Sequence, residues 1–429
     1  MAHISSVKNS TSTRSKDWKF AFTFTKDHLY QLALWAIMAR IVLYELFNSI
    51  SLLSIGAFNV SPVDVTLLFC LPALFVSFRY FHPRRLSGIL VMLFSLLMLV
   101  GLVRGSLSNG PVQAGFMFRA NVLYVVSFLI AILMPLTEKR ASFIVKAFVF
   151  TSWILILLVF FRLIVGNNGH RPLTSVGGIL MGEAAVMALG LAMSPYLVAK
   201  EKMGWILIVI FFCVMLFLTG QRTALSASLA GLGVVLLLSP SPYRWIIRLF
   251  FLGVICAVGF IFVAALADFG KDALVEHLPG FIQDQFGKRT TLDWRKAQWA
   301  AAMRQFWASS AADQWLGMPF GTRVSYRLDG LFRGFVLHFS IHNHYIKTLV
   351  ELGFVGIGIF AFTIIWALWK IMVRFGKRNR EVYLSPEVSL ALLVTILFFS
   401  YGYWLNGIQG IVLGSLIASR PRNRIGKPR

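Results

Sequence analysis

Apolar stretches of bilayer-crossing length recur along almost the whole chain, and they constrain its fold more than any motif does. In hydrocarbon no water pairs with backbone N–H and C=O groups, so only helices and closed barrels cross a membrane. A spanning helix takes about 17–25 mostly apolar residues. Runs of that kind lie near residues 30–48, 63–81, 88–103, 116–136, 144–165, 178–198, 204–219, 223–239, 245–267, 344–372, 387–403 and 406–419. The sequence therefore predicts an all-α polytopic membrane protein with about twelve transmembrane helices. Composition agrees, since 58% of the 429 residues are hydrophobic, 14% are charged and the mean hydropathy is +0.74. A water-soluble domain carries far more charge.

The formal net charge of +24 does not point to nucleic acid. The basic residues sit in short interruptions between apolar runs, where they set topology, and no exposed module of basic and aromatic residues accompanies them. Counted from a cytoplasmic N-terminus, alternate connections carry Arg79, Arg84 and Arg85; Lys139 and Arg140; Lys200 and Lys202; Arg244; Lys370, Arg374, Lys377, Arg378 and Arg380; and the tail Arg420 to Arg429. The opposite short connections hold little beyond Arg104, Arg171 and Arg222. This asymmetry predicts that both termini are cytoplasmic. Met1 to Asp27 is polar and basic, without an apolar core and cleavage site, and reads as a tail rather than a signal peptide. Cys70, Cys213 and Cys256 lie far apart inside apolar runs and imply neither a disulfide framework nor a zinc site.

The expected organisation is a basic tail over 1–29, nine helices within 30–267, a long periplasmic loop over 268–343, three helices within 344–419 and a second basic tail over 420–429. The loop is far longer than the roughly 12–15 residues beyond which a connection usually has a function. Within it, Asp293 to Trp307 sets Trp294, Ala297, Trp299, Ala301, Met303 and Phe306 among Arg and Lys residues. That pattern predicts an amphipathic helix at the interface. No internal repeat and no separate soluble domain is visible.

Arginine inside a span costs about 2.5–3.5 kcal/mol on insertion scales. Arg119, Arg162, Glu183 and Arg222 all fall toward the outer ends of their spans. Singly, each has a plain explanation: an arginine snorkels to the interface, or Glu183 pairs with one of them. Arg40 and Glu45 read as an internal pair. Taken together, several guanidinium groups at one face make a place for a polyanion, because the planar fork grips phosphate oxygens bidentately. The ligand this suggests is a phosphate or pyrophosphate at the outer face.

Three of the eight histidines cluster in His338-Phe339-Ser340-Ile341-His342-Asn343-His344, at the mouth of a span. Neutral imidazole, with an ordinary pKa near 6.5, takes a proton from an alcohol as its oxygen attacks. A helical segment would put His338 and His342 on one face and His344 off it. A lone histidine at a membrane boundary is more often an interfacial or satisfied polar group. Asn343 is placed to orient a ring or a substrate hydroxyl. As a metal site the three are weak, with no acidic residue at ligand spacing. The chain has no Asp-x-Asp motif and no phosphate loop, so no cofactor is expected.

His342-Asn343 followed by Glu351, Gly353 and Gly356 resembles the carboxyl-proximal signature of the O-antigen ligase and O-antigen polymerase superfamily. Gln221-Arg222-Thr223-Ala224-Leu225 resembles the family's Arg-Thr or Arg-Ser start of a span. Arg295-Lys296-Ala297-Gln298-Trp299, with Gly317 and Gly321 downstream, resembles its Arg-x-x-x-Trp loop segment, although here Pro319 falls between the two glycines rather than before them. The resemblance runs roughly from Gly178 to Trp369.

It implies glycosyl transfer at the periplasmic face of the bacterial inner membrane, from an undecaprenyl-diphosphate-linked sugar chain to an acceptor hydroxyl. His342 would be the general base, and Arg222 and Arg295 would hold the donor pyrophosphate. Spacing adds Arg289 and His338, and depth in its span adds Arg119. Fixed arginines in place of a divalent metal would stabilise the leaving diphosphate, which implies a metal-independent, inverting transfer. The partners implied are the lipid-linked donor, an acceptor glycan, membrane lipids and a chain-length regulator. The acceptor is either a second lipid-linked repeat unit, making the enzyme a polymerase of O-antigen or exopolysaccharide, or the lipid A core, making it a ligase. The polymerase is the preferred expectation. A flippase is the alternative from another class; such transporters place ionisable residues near the midplane and show internal symmetry, whereas the charges here gather toward one face.

Overall fold

The structure is a computed structural model, and it describes residues 25–47, 53–55, 58–60, 65–82, 85–134, 136–165, 181–198, 216, 222–238, 290–327, 335–338, 341–375, 384–402 and 407–418. The architecture is helical. Helix α1 (Lys26–Phe47) leads to a 3-10 turn (Thr66–Cys70) that runs into α2 (Leu71–Phe78), then α3 (Leu86–Asn109), α4 (Pro111–Leu133), α5 (Glu138–Val165), α6 (Met181–Val198) and α7 (Arg222–Leu238). Two further helices, α8 (Thr290–Trp307) and α9 (Ala311–Leu316), precede the closing group of α10 (His344–Phe375), α11 (Pro386–Gly402) and α12 (Gly407–Ala418).

Helices lie on each expected span that falls within the described residues. The spans expected near 204–219, apart from Leu216, and near 245–267 lie outside them, as do most of both tails. Among the described residues, three helices are long and apolar enough to cross a membrane: α3, the Glu138–Leu157 part of α5, and α10. Helix α4 makes a fourth if its two arms, Pro111–Arg119 and Asn121–Leu133, bent by 44°, count as one span. The others that are apolar are shorter, Pro386–Gly402 and Gly407–Ala418 among them.

The helix ends sort into two groups. At one end, Asp27 of α1 pairs with Arg140 of α5 at 2.7 Å, Lys26 lies over the Tyr80 ring beyond α2, and the Tyr30 hydroxyl is 3.3 Å from Ser415 Oγ of α12. There, too, Arg374 near the C-terminus of α10 donates to the Leu416 carbonyl at 2.7 Å and meets Ser389 of α11 at 3.4 Å. Arg140 and Arg374, two of the basic residues counted above, thus sit at this end. The other end carries the start of α4, the start of α10 and the α8–α9 segment.

Small residues set the packing of the bundle. Gly407, Gly410 and Gly414 run down the face of α12 that lies on α4, where any added Cβ would meet Ser127, the Tyr124 carbonyl or Ala131 at 2.5–2.7 Å. Backbone approach of this kind is how helices pack where lipid removes the hydrophobic drive for association. Likewise Gly402, at the end of α11, has the Thr223 side chain at the start of α7 within 2.5 Å of its Cβ position.

Two short antiparallel hairpins depart from the all-helical expectation. One pairs β1 (Leu53–Ile55) with β2 (Phe58–Val60), and the other pairs β3 (Val324–Arg327) with β4 (Phe335–His338). Val324-Ser-Tyr-Arg and Phe335-Val-Leu-His are rich in β-branched and aromatic residues, which favour strand pairing. The sequence left open whether the histidine segment is helical, and the pairing of Val324 with His338 shows that it is not. His338 ends a strand, the chain turns through Ile341 to Asn343, and the helix begins only at His344.

Candidate active site

Helix α8 forms where the amphipathic pattern predicts it and buries Ala301, Ala302 and Phe306 against Met318, Val324, Ile341 and Val350. This small core seats α8 on the first half of α10. One turn back along the same helix, the buried Gln298 accepts the backbone N–H of His342 at 3.2 Å. Arg295 and Trp299 share that face, being three positions before Gln298 and four positions apart from each other. The Arg-x-x-x-Trp spacing thus brings the half-buried Arg295 to the side of α8 that holds the His342 turn.

The same face reaches α7 through two contacts. The Trp299 ring meets Tyr401 of α11 edge-on, with centroids 5.4 Å apart. Gly402, next along, abuts Thr223, and Arg222 is the first residue of α7. The structure therefore gathers His342, the Arg295 face of α8 and the start of α7 at one end of the bundle. Arg119 is half-buried in the first arm of α4. His338 is the last residue of β4, paired with Val324 at the open end of the β3–β4 hairpin. Arg289 falls outside the described residues.

His342 and His344 have different environments. His342 sits half-buried in the turn. His344 is buried, its ring 4.9 Å from Phe360 and 5.9 Å from Tyr124 between centroids, with the Thr348 hydroxyl 3.3 Å from Nε2; it belongs to the helix packing rather than to the turn. Asn343 takes a different part from the one its position suggested. Its Oδ1 accepts the N–H of Ile346 at 3.1 Å, and its carbonyl accepts that of Lys347 at 2.9 Å, which makes it the N-cap of α10.

Helix α10 breaks at Gly353, where φ is 67°. The break frees the Val350 carbonyl, which accepts the Met318 N–H at 2.7 Å. Gly317, at φ 85°, lies against the same place, its Cβ position 2.1 Å from the Glu351 carbonyl. The far side of this loop is tied to α3. Arg104 pairs with Asp313 and donates to the Gly317 carbonyl at 2.7 Å, and Asn109 Nδ2 donates to the Phe320 carbonyl at 3.0 Å. The glycines around Pro319 are thus explained by close backbone contact, whatever the position of the proline.

A second polar cluster went unread in the sequence. Lys347 Nζ lies 3.1 Å from Glu351 Oε2 and donates to Asn121 Oδ1 at 2.7 Å, while Asn121 Nδ2 donates to the same Glu351 oxygen at 2.8 Å. Lys347 and Glu351 are 3% and 5% exposed. A cavity of about 20 Å³, room for about one water, adjoins them and is also lined by Tyr124, His344 and Thr348. It is too small for a sugar. The signal available in the sequence was the Lys347–Glu351 spacing of one helical turn inside an apolar span.

Fold and site together describe a helical membrane protein with a histidine-bearing turn and arginine-bearing helix ends at one face. Residues 207–361 match the family described as O-antigen ligase, which supports the resemblance to the O-antigen ligase/polymerase superfamily. No curated protein and no solved structure matches the chain. At a coarse level the family match supports an O-antigen ligase/polymerase-type membrane enzyme with lipid-linked glycans as substrates.

Proposed function

We propose that the protein transfers an undecaprenyl-diphosphate-linked oligosaccharide to an acceptor hydroxyl at the periplasmic face of the inner membrane. In this reading the twelve-span layout places α8, α9 and the start of α10 outside. A neutral His342 takes the proton of the acceptor hydroxyl as its oxygen bonds to the anomeric carbon. The bond from that carbon to the diphosphate breaks with inversion, its electron pair leaves with the diphosphate, and the proton passes from the imidazole to the departing group or to water. Arg222 and Arg295 hold the diphosphate and offset its growing charge without a metal. Arg289, Arg119 and His338 are secondary candidates for the same substrate.

The observation that carries the reading is the bond from the His342 N–H to Gln298 Oε1, because it fixes the base candidate against the helix that presents Arg295. The acceptor we propose is a second lipid-linked repeat unit, with a chain-length regulator as partner. The family's description, O-antigen ligase, favours the second reading, in which the acceptor is the lipid A core. Purified protein is reconstituted with a polyprenyl-diphosphate-linked repeat unit in EDTA, with and without lipid A core. A ladder from donor alone is expected for the polymerase. Product only with the core identifies the ligase, and movement of unreacted donor across the bilayer overturns both in favour of a flippase.

A further inference from the structure

We propose that Asn121, Lys347 and Glu351 form a positioning device for His342, an inference that rests on the base assignment above. The half-helix His344–Leu352 is cut off from the rest of its span by the break at Gly353, so the continuous helix does not by itself hold the turn it carries. What fixes this piece laterally on the α4 side is a closed ring of polar contacts at 2.7, 2.8 and 3.1 Å among Asn121, Lys347 and Glu351.

A buried ion pair is a poor source of stability, since an apolar pair of similar volume often does as well, yet it is specific in geometry. Only one rotation and one depth of the half-helix bring both charged groups to the one amide of Asn121. That setting also fixes the start of the helix and the His342 turn, whose backbone is held from the opposite side by Gln298. Lys347 and Glu351 are buried on the helix, one and two turns below His342, so they act through the helix rather than on substrate.

The test is steady-state kinetics in the reconstituted assay. Asn121→Ala, which leaves the ion pair in place, is expected to lower kcat at least tenfold with KM for the lipid-linked donor within twofold. Lys347→Glu and Glu351→Lys are each expected to lose activity. The charge-swapped double variant should recover most of kcat, because the Asn121 amide serves either arrangement when turned over. If the swapped pair does not fold, the Asn121 result still decides. In a His342→Ala background, Asn121→Ala should not reduce the residual rate further, whereas a general packing defect lowers it again. Parent kcat in Asn121→Ala, or an additive loss in the His342→Ala background, overturns the proposal. Full activity in His342→Ala alone instead overturns the base assignment, which separates the two failures.

Discussion

Asn343 stands beside the proposed base, but its side chain is committed to the backbone of α10 as a cap. Replacing a capping Asn with Ala costs about 0.5–2 kcal/mol, and Asp keeps the acceptor. Asn343→Asp is therefore expected to keep the thermal-inactivation midpoint of the parent in detergent, and Asn343→Ala to lower it. Arg222 is expected to behave differently. A guanidinium that grips diphosphate through two parallel bonds is not replaced by a point charge, so Arg222→Lys should lose about tenfold to hundredfold in kcat/KM for donor, the equivalent of one charge-assisted bond. Parent kinetics in that variant would make the arginine a structural charge. At this scale the sequence singled out His342 and Arg295 by motif, and the structure joins the turn of His342 to the helix that carries Arg295 through Gln298. It left open the part of Asn343, which depends on where the helix starts, and a run of seven residues with three imidazoles does not say whether it is strand, turn or helix.

Among the elements, the broken helix α10 and the loop that fills its break depend most on each other. At Gly353 an L side chain would meet both an unfavourable left-handed backbone, worth about 1–2 kcal/mol, and the Trp315 carbonyl 2.3 Å from its Cβ. Gly353→Ala should therefore destabilise the protein by more than the backbone term alone, and Gly317→Ala, facing Glu351 from the other side, by a similar amount. The two losses should be less than additive when combined, since both open the same contact; thermal-inactivation midpoints of the two single variants and the double variant check this. The helices themselves were legible, because apolar runs of spanning length leave few other options. The break and the loop's attachment to Arg104 and Asn109 were not. Each joins residues remote in sequence, as Asn121 and Lys347 are, 226 positions apart, and no local pattern records such a meeting.

For the whole molecule, the two groups of helix ends and the charge pattern lead to one sided arrangement. Basic residues such as Arg140 and Arg374 are joined to the ends of α1, α11 and α12, while His342 and the Arg295 face of α8 lie at the other end. A donor carried on a bilayer lipid meets such a site only from the side on which the base and arginines lie, so sidedness bears directly on the reaction. Lys139, at the first group of ends, and Lys296, on α8, are both exposed, which makes them matched reporters. In a background without Cys70, Cys213 and Cys256, Lys296→Cys should react with a membrane-impermeant maleimide in spheroplasts, and Lys139→Cys only after permeabilisation. The reverse pattern would put His342 on the cytoplasmic side, where the acceptor glycan of the proposed reaction is not presented, and would remove the polymerase and ligase readings together. Labelling of both from outside would mean that the chain between Lys139 and Lys296 crosses the membrane an even number of times, against the five spans that the sequence and its charge asymmetry predict.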